Sequence, residues 1–148
     1  NSTPNATEYK GAVLADGELN DSRPLSPHIW SWKWHITMLT SILHRVTGVG
    51  LYIGSFLLVG WLLALAMGEE AYNGYSAFVG SPLGLLILFG FTLAAMYHLA
   101  NGLRHLFWDA GTGYKPEVAN TTGMLTIAFA IVATIGIWAY ILTSVVEF

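Results

Sequence analysis

Three long stretches of this chain carry few polar residues. They run over about residues 36–67, 83–108 and 123–146, the first being continuously apolar from Val46 onward. Each holds at least the ~20 residues that a helix needs to cross a ~30 Å hydrocarbon core. The pattern predicts an all-α membrane protein with three transmembrane helices, because a single helix satisfies all its backbone hydrogen bonds internally. The polar links differ in charge. Residues 68–82 contain Glu69 and Glu70 and no Lys or Arg, whereas 109–123 contain Lys115 and closely follow Arg104. Ahead of the spans, residues 1–22 are rich in Asn, Ser, Thr and acids, with no apolar period, and read as a flexible polar tail. In Arg23 to His35, two prolines discourage helix. Trp30, Trp32 and Trp34 suit an interfacial segment at headgroup level. The chain thus divides into a tail, 1–22, and a membrane-anchor domain, 23–148.

The six basic residues are Lys10, Arg23, Lys33, Arg45, Arg104 and Lys115. All fall on one side of a three-span arrangement. The positive-inside rule then puts the N-terminus and the second link in the cytoplasm or matrix, and the acidic link and Glu147-Phe148 on the other side. The sequons at Asn1, Asn5 and Asn120 lie on that inner side and read as chance matches. Gly50 and Gly54 form a small-xxx-small pair that can allow close helix approach.

Composition agrees with a membrane protein: 54% of the 148 residues are hydrophobic and 10% are charged. There is no cysteine, which excludes disulfides, thiolate-held clusters and covalent c-type haem attachment in this chain. Nothing supports nucleic-acid binding. No secretory signal precedes the first span, and the acidic tail is unlike a transit peptide, which favours a bacterial inner membrane over the mitochondrial alternative.

Against this background the ionisable residues inside the spans stand out. Placing one in the hydrocarbon core costs at least ~2.5–3.5 kcal/mol on insertion scales, so such residues mark function. His98 lies ten residues before Trp108, ~15 Å from the inner end of the second span. His105 falls on nearly the same helical face, closer to the surface. A neutral imidazole at that depth suits a metal, haem iron included. Gly102 leaves a flat space where a planar macrocycle can lie, and Arg104 and His105 sit where its propionates would emerge. Only His98 is at ligand depth, so a six-coordinate haem needs its second ligand from another polypeptide. In the first span, Ser41 and Arg45 share a helical face with His44 beside them, a hydroxyl, a cation and an imidazole at the apolar boundary.

These motifs carry a family resemblance. Arg23-Pro24-Leu25-Ser26-Pro27-His28, Ser41-Ile42-Leu43-His44-Arg45-x-Thr47-Gly48 and His98-x-x-x-Gly102-x-Arg104-His105-x-x-x-Asp109 resemble the cytochrome b large membrane-anchor subunit of succinate dehydrogenase, of the alphaproteobacterial and mitochondrial type. The resemblance implies a helix bundle shared with a second anchor subunit. It implies that His98 is the axial haem b ligand on this chain, the small membrane-anchor subunit giving the other. It matches Ser41 and Arg45 to the ubiquinone pocket beside the iron–sulfur subunit, and His44, Arg45 and His105 to the haem propionates. Succinate itself would be oxidised by the flavoprotein subunit, since this chain has no flavin fingerprint. Two alternatives stay open: an anchor of a quinol:fumarate reductase, with electrons flowing in reverse, and a membrane anchor without redox chemistry.

Overall fold

The computed structural model describes residues 34–144. The tail 1–22, the interfacial segment as far as Lys33, the sequons at Asn1 and Asn5, and Glu147-Phe148 lie outside the described residues. Among the described residues the only regular elements are four helices: α1 (Ile36–Met67), α2 (Glu69–Val79), α3 (Pro82–Asp109) and α4 (Pro116–Ser144). Three of these, α1, α3 and α4, are long and apolar enough to cross a membrane, and they cover the three expected spans.

α1 is one unbroken helix of 32 residues, ~48 Å long, well over the thickness of the hydrocarbon core. It therefore begins at Ile36, ahead of its continuously apolar part, and its first turns carry Ser41, His44 and Arg45 up to the apolar boundary. It stops at Gly68, whose φ of 103° lies in the left-handed region that favours glycine.

The acidic link is not a loop. It folds as α2, with Glu69 and Glu70 in its first turn, where carboxylates complement the helix dipole. Tyr75, Phe78 and Val79 turn one face of α2 toward Leu57 and Trp61 of α1 and Leu88 of α3, lining a half-open apolar pocket of about 250 Å³. The Tyr75 hydroxyl donates to the Leu57 carbonyl at 2.6 Å.

α3 starts with a strong signal. Ser81 caps it by accepting from the Gly84 N–H at 3.1 Å, and Pro82 occupies the first turn. Gly84 is buried against the carbonyls of Phe78 and Val79, so that a Cβ there would collide with backbone. α4 begins at Pro116, well before the apolar run from Gly123. Proline and Glu117 both suit a first turn.

α3 is the central helix, packed against α1, α2 and α4. The buried positions are few and mostly small or polar: Ala64, Ala119 and Ala130 with Thr40, Thr126 and Thr134, plus Tyr97, Asn101 and Arg104. That is the composition expected where lipid removes the hydrophobic drive between helices, and close packing and hydrogen bonds take over. Most large apolar side chains point outward. Gly54 lies beneath the Phe91 ring, whereas a Cβ on Gly50 would meet nothing within 4 Å, so the small-xxx-small pair does not bring two backbones together within this chain.

Candidate functional site

The start of α1 and the end of α3 lie side by side, and there they gather three histidines. His44 stacks on His98 with ring centroids 3.9 Å apart and planes 9° from parallel. His105 is tilted against His44 at 5.2 Å and meets the Trp108 ring edge-on at 5.1 Å. A Cβ on Gly48 would lie 3.1 Å from His98 Cε1, so glycine allows α1 to approach the imidazole this closely.

One hydrogen-bond contact orients the His98 ring. Thr47 Oγ1 donates to the Leu43 carbonyl at 2.7 Å, as threonines in apolar helices commonly do. Its lone pairs remain, and His98 Nδ1 stands 3.2 Å from that oxygen. With the Thr47 proton on the Leu43 carbonyl, an Nδ1–H on His98 would donate to Thr47 and leave Nε2 with its lone pair, the state a metal-ligating imidazole requires. Gly102, one turn on, has open space around the position of a Cβ. His44 Nδ1 is buried without a partner among the described residues, which marks a missing hydrogen-bonding group beside the stack. The described residues contain no group of three His, Cys, Asp or Glu side chains arranged to hold a bare metal ion. His44 and His98 stack, and His105 is tilted against His44.

Ser41 and Arg45 lie on the same stretch of α1 as His44, Ser41 half-buried and Arg45 exposed. Asp109 is exposed at the end of α3. The structure thus brings His44, His98 and His105 into one cluster and sets Ser41 and Arg45 on the α1 turns around it.

Arg104 departs from expectation. It does not sit at the surface beside His105 but is buried at the junction of α1, α3 and α4. Nε donates to Thr122 Oγ1 at 3.0 Å, Nη1 to Thr40 Oγ1 and Asn101 Oδ1 at 3.3 Å each, and Nη2 to the Ala119 carbonyl at 2.7 Å. The Trp108 ring lies 4.0 Å from its guanidinium carbon. Four neutral acceptors and an aromatic face occupy the group, so it is not directed at a propionate. Thr47 belongs to the α1 motif, but Thr40, Tyr97 and Asn101 are given no role by the sequence reading. A helical stripe at i, i+4, i+7 marks them: Thr40, His44 and Thr47 on α1, and Tyr97, Asn101 and Arg104 on α3.

Comparison with known proteins decides the family. The model of the succinate dehydrogenase/fumarate reductase transmembrane subunit matches residues 20–137. The chain belongs to this family. It is 36% identical over 121 residues to the succinate dehydrogenase cytochrome b556 subunit of Rickettsia felis, covering 82% of this chain and 94% of the relative. It is 40% identical over 114 residues to the cytochrome b556 subunit of Paracoccus denitrificans, covering 77% and 88%. The mitochondrial cytochrome b560 subunit of Sus scrofa is 34% identical over 123 residues, covering 82% and 73%. The resemblance read from the three motifs is borne out, with bacterial and mitochondrial relatives alike. These relatives are subunits of an oxidoreductase complex, and the family is a transmembrane one.

Proposed function

We propose that this chain is the haem b- and ubiquinone-binding membrane anchor of a succinate:ubiquinone oxidoreductase. One observation carries the reading: His98 on α3 has Nδ1 3.2 Å from Thr47 Oγ1, a contact that orients the ring and, with Nδ1 as donor, leaves Nε2 for a metal. The residues fit a haem in further respects. Gly102 leaves room for a flat group, and the buried Nδ1 of His44 offers a hydrogen-bonding group toward a propionate. His98 would hold the haem iron from this chain, and the small membrane-anchor subunit would give the second ligand. His44, Arg45 and His105 would surround the propionates. When bound, haem b supplies a one-electron redox centre.

Ubiquinone is the substrate. Two electrons, delivered singly by the iron–sulfur subunit, and two protons convert its two carbonyls to hydroxyls. Ser41 donates a hydrogen bond to one carbonyl oxygen, and Arg45 stabilises the negative charge that develops there. The cofactors do the redox chemistry, while this chain sets position and polarity. It also anchors the flavoprotein, where succinate is oxidised, and does not oxidise succinate alone. The complex sits in a bacterial inner membrane with the N-terminus cytoplasmic, or with the same orientation toward the matrix in a mitochondrion. A quinol:fumarate reductase anchor is the second reading, since the matching family model spans both enzymes. The quinone that co-purifies distinguishes them.

The test is a paired assay on membranes with normal complex content. Ser41→Ala removes a preorganised donor to developing charge, typically worth ~2.7–4 kcal/mol, so ubiquinone reduction falls on the order of a hundredfold. Arg45→Leu falls at least as far. Succinate oxidation with an artificial acceptor that draws electrons upstream survives both. Wild-type ubiquinone rates, or equal loss of both activities, would overturn the pocket assignment.

A further inference from the structure

Ser41 and Arg45 lie on turns of α1 that pack beside α3. The residue preceding Ser41 is Thr40, which has no exposed surface. Thr40 is gripped twice from α3. Its carbonyl accepts from the Tyr97 hydroxyl at 2.7 Å. Its hydroxyl donates to the Thr37 carbonyl at 3.0 Å, which orients a lone pair to accept from Arg104 Nη1. Both donors are themselves buried, Tyr97 with 5% and Arg104 with 6% of its surface exposed.

Arg104 is fixed in turn. Asn101, Thr122 and the Ala119 carbonyl take its other bonds, and Trp108 covers its face. Gly123 makes the junction possible, since a Cβ there would lie 3.3 Å from Thr40 Cγ2 and 3.7 Å from Arg104 Nη2. None of the acceptors is a carboxylate. A buried cation without an anion gains little stability for its desolvation cost, so its use here lies in geometry. The planar guanidinium offers five donors in a fixed fork, which a lysine cannot reproduce.

We propose that Tyr97 and Arg104 are positioning residues for the quinone-facing turn of α1. This inference rests on the assignment of Ser41 and Arg45 to ubiquinone. A helix moves as a unit over one turn. Holding Thr40 at both its carbonyl and its hydroxyl therefore sets the height and rotation of Ser41, the next residue, and of Arg45, one turn beyond. The same helix α3 carries His98, so the quinone turn and the haem-facing histidine are referenced to one element. Misplacement of a binding group by about 1 Å costs far more than the lost contact suggests.

The experiment uses assembled complex in membranes, with a short-chain ubiquinone as probe. Each quinone-reductase rate is divided by the succinate:artificial-acceptor rate of the same membranes. Tyr97→Phe and Thr40→Val each remove one hydroxyl and keep the volume. Each is expected to raise the KM for quinone roughly 2- to 10-fold, the factor of one ordinary hydrogen bond. Thr40→Ser, which keeps the hydroxyl, restores the wild-type KM, and the haem difference spectrum is unchanged in all three. Ser41→Ala is run beside them. If it impairs quinone reduction while Tyr97→Phe and Thr40→Val leave KM unaltered, the positioning role is wrong and the pocket stands. If Ser41→Ala has no effect, the pocket assignment fails and this inference with it. A parallel loss of haem absorbance in the Thr40 and Tyr97 variants reduces them to folding contacts and also overturns the proposal.

Discussion

At the scale of single residues, threonine organises the membrane part of this chain. Thr40, Thr47, Thr92 and Thr122 each give the hydroxyl proton to a carbonyl of their own helix. Each then offers a lone pair across a helix interface, to Arg104, His98, Trp138 and Arg104 in that order. One hydroxyl thus satisfies its own donor locally and serves a neighbouring helix. Hydrogen bonds of this kind are worth ~0.6 kcal/mol on average in membranes, with the largest near ~1.7, so their value here lies in orientation. Apart from Thr47, which falls in the α1 motif, these threonines attract no notice beside a histidine when the sequence is read, because threonine is common in apolar spans. The histidines and the Ser41/Arg45 pair were legible because ionisable residues are rare there. Arg104 was legible as important but was assigned the wrong surroundings: depth alone does not show that Thr40, Asn101 and Thr122 converge on it. Thr47→Val tests the residue-scale argument. Without the Thr47 acceptor the His98 ring is less basic and less firmly oriented. A less basic ligand stabilises the ferric state less, so the haem midpoint potential should rise in a potentiometric titration while the axial ligand stays in place. An unchanged potential would mean that the Thr47 contact does not reach the iron.

At the scale of elements, the three spans were legible from length and hydropathy, and α2 was not. Its eleven residues are too mixed to announce a helix, and Glu69 with Glu70 reads equally well as a polar loop. What makes it a helix is tertiary: Tyr75, Phe78 and Val79 find an apolar surface on α1 and α3. The early start of α4 has a similar cause, since Ala119 and Gly123 must lie in helix to reach Arg104 and Thr40. Gly84 is a tight joint between α2 and α3. Alanine there meets the backbone carbonyls at the end of α2 and not a side chain that can rotate away. Gly84→Ala should destabilise by about 1–3 kcal/mol, the usual cost of overpacking. The purified complex should then lose activity at a lower temperature than wild type, with quinone affinity unaltered before it does so. A wild-type thermal profile would show that the α2–α3 joint yields easily.

At the scale of the whole molecule, chemistry is segregated along the membrane normal. The bonds from Thr40 to Arg104 to Ala119 place the start of α1, the end of α3 and the start of α4 at one end, with the histidine cluster beside them. Glu69 and Glu70 mark the opposite end of α1. The orientation proposed here makes the histidine end the inner one. Because the chain has no cysteine, Glu69→Cys provides a unique label. It should react with a membrane-impermeant thiol reagent from the outer face only. Labelling from the cytoplasmic face alone would invert the topology. The outward apolar surface of α1, α3 and α4 fits helices that face lipid or a further subunit.

The haem proposed to be shared between subunits is tested most directly by a reduced-minus-oxidised absorbance spectrum of the purified complex. Wild-type complex should show the sharp bands of a low-spin, six-coordinate haem b. His98→Ala complex of the same subunit content should lose those bands or convert them to a high-spin form, while His105→Ala keeps them with at most a modest shift. A low-spin spectrum unaltered by His98→Ala would contradict the account, because another residue would then hold the iron.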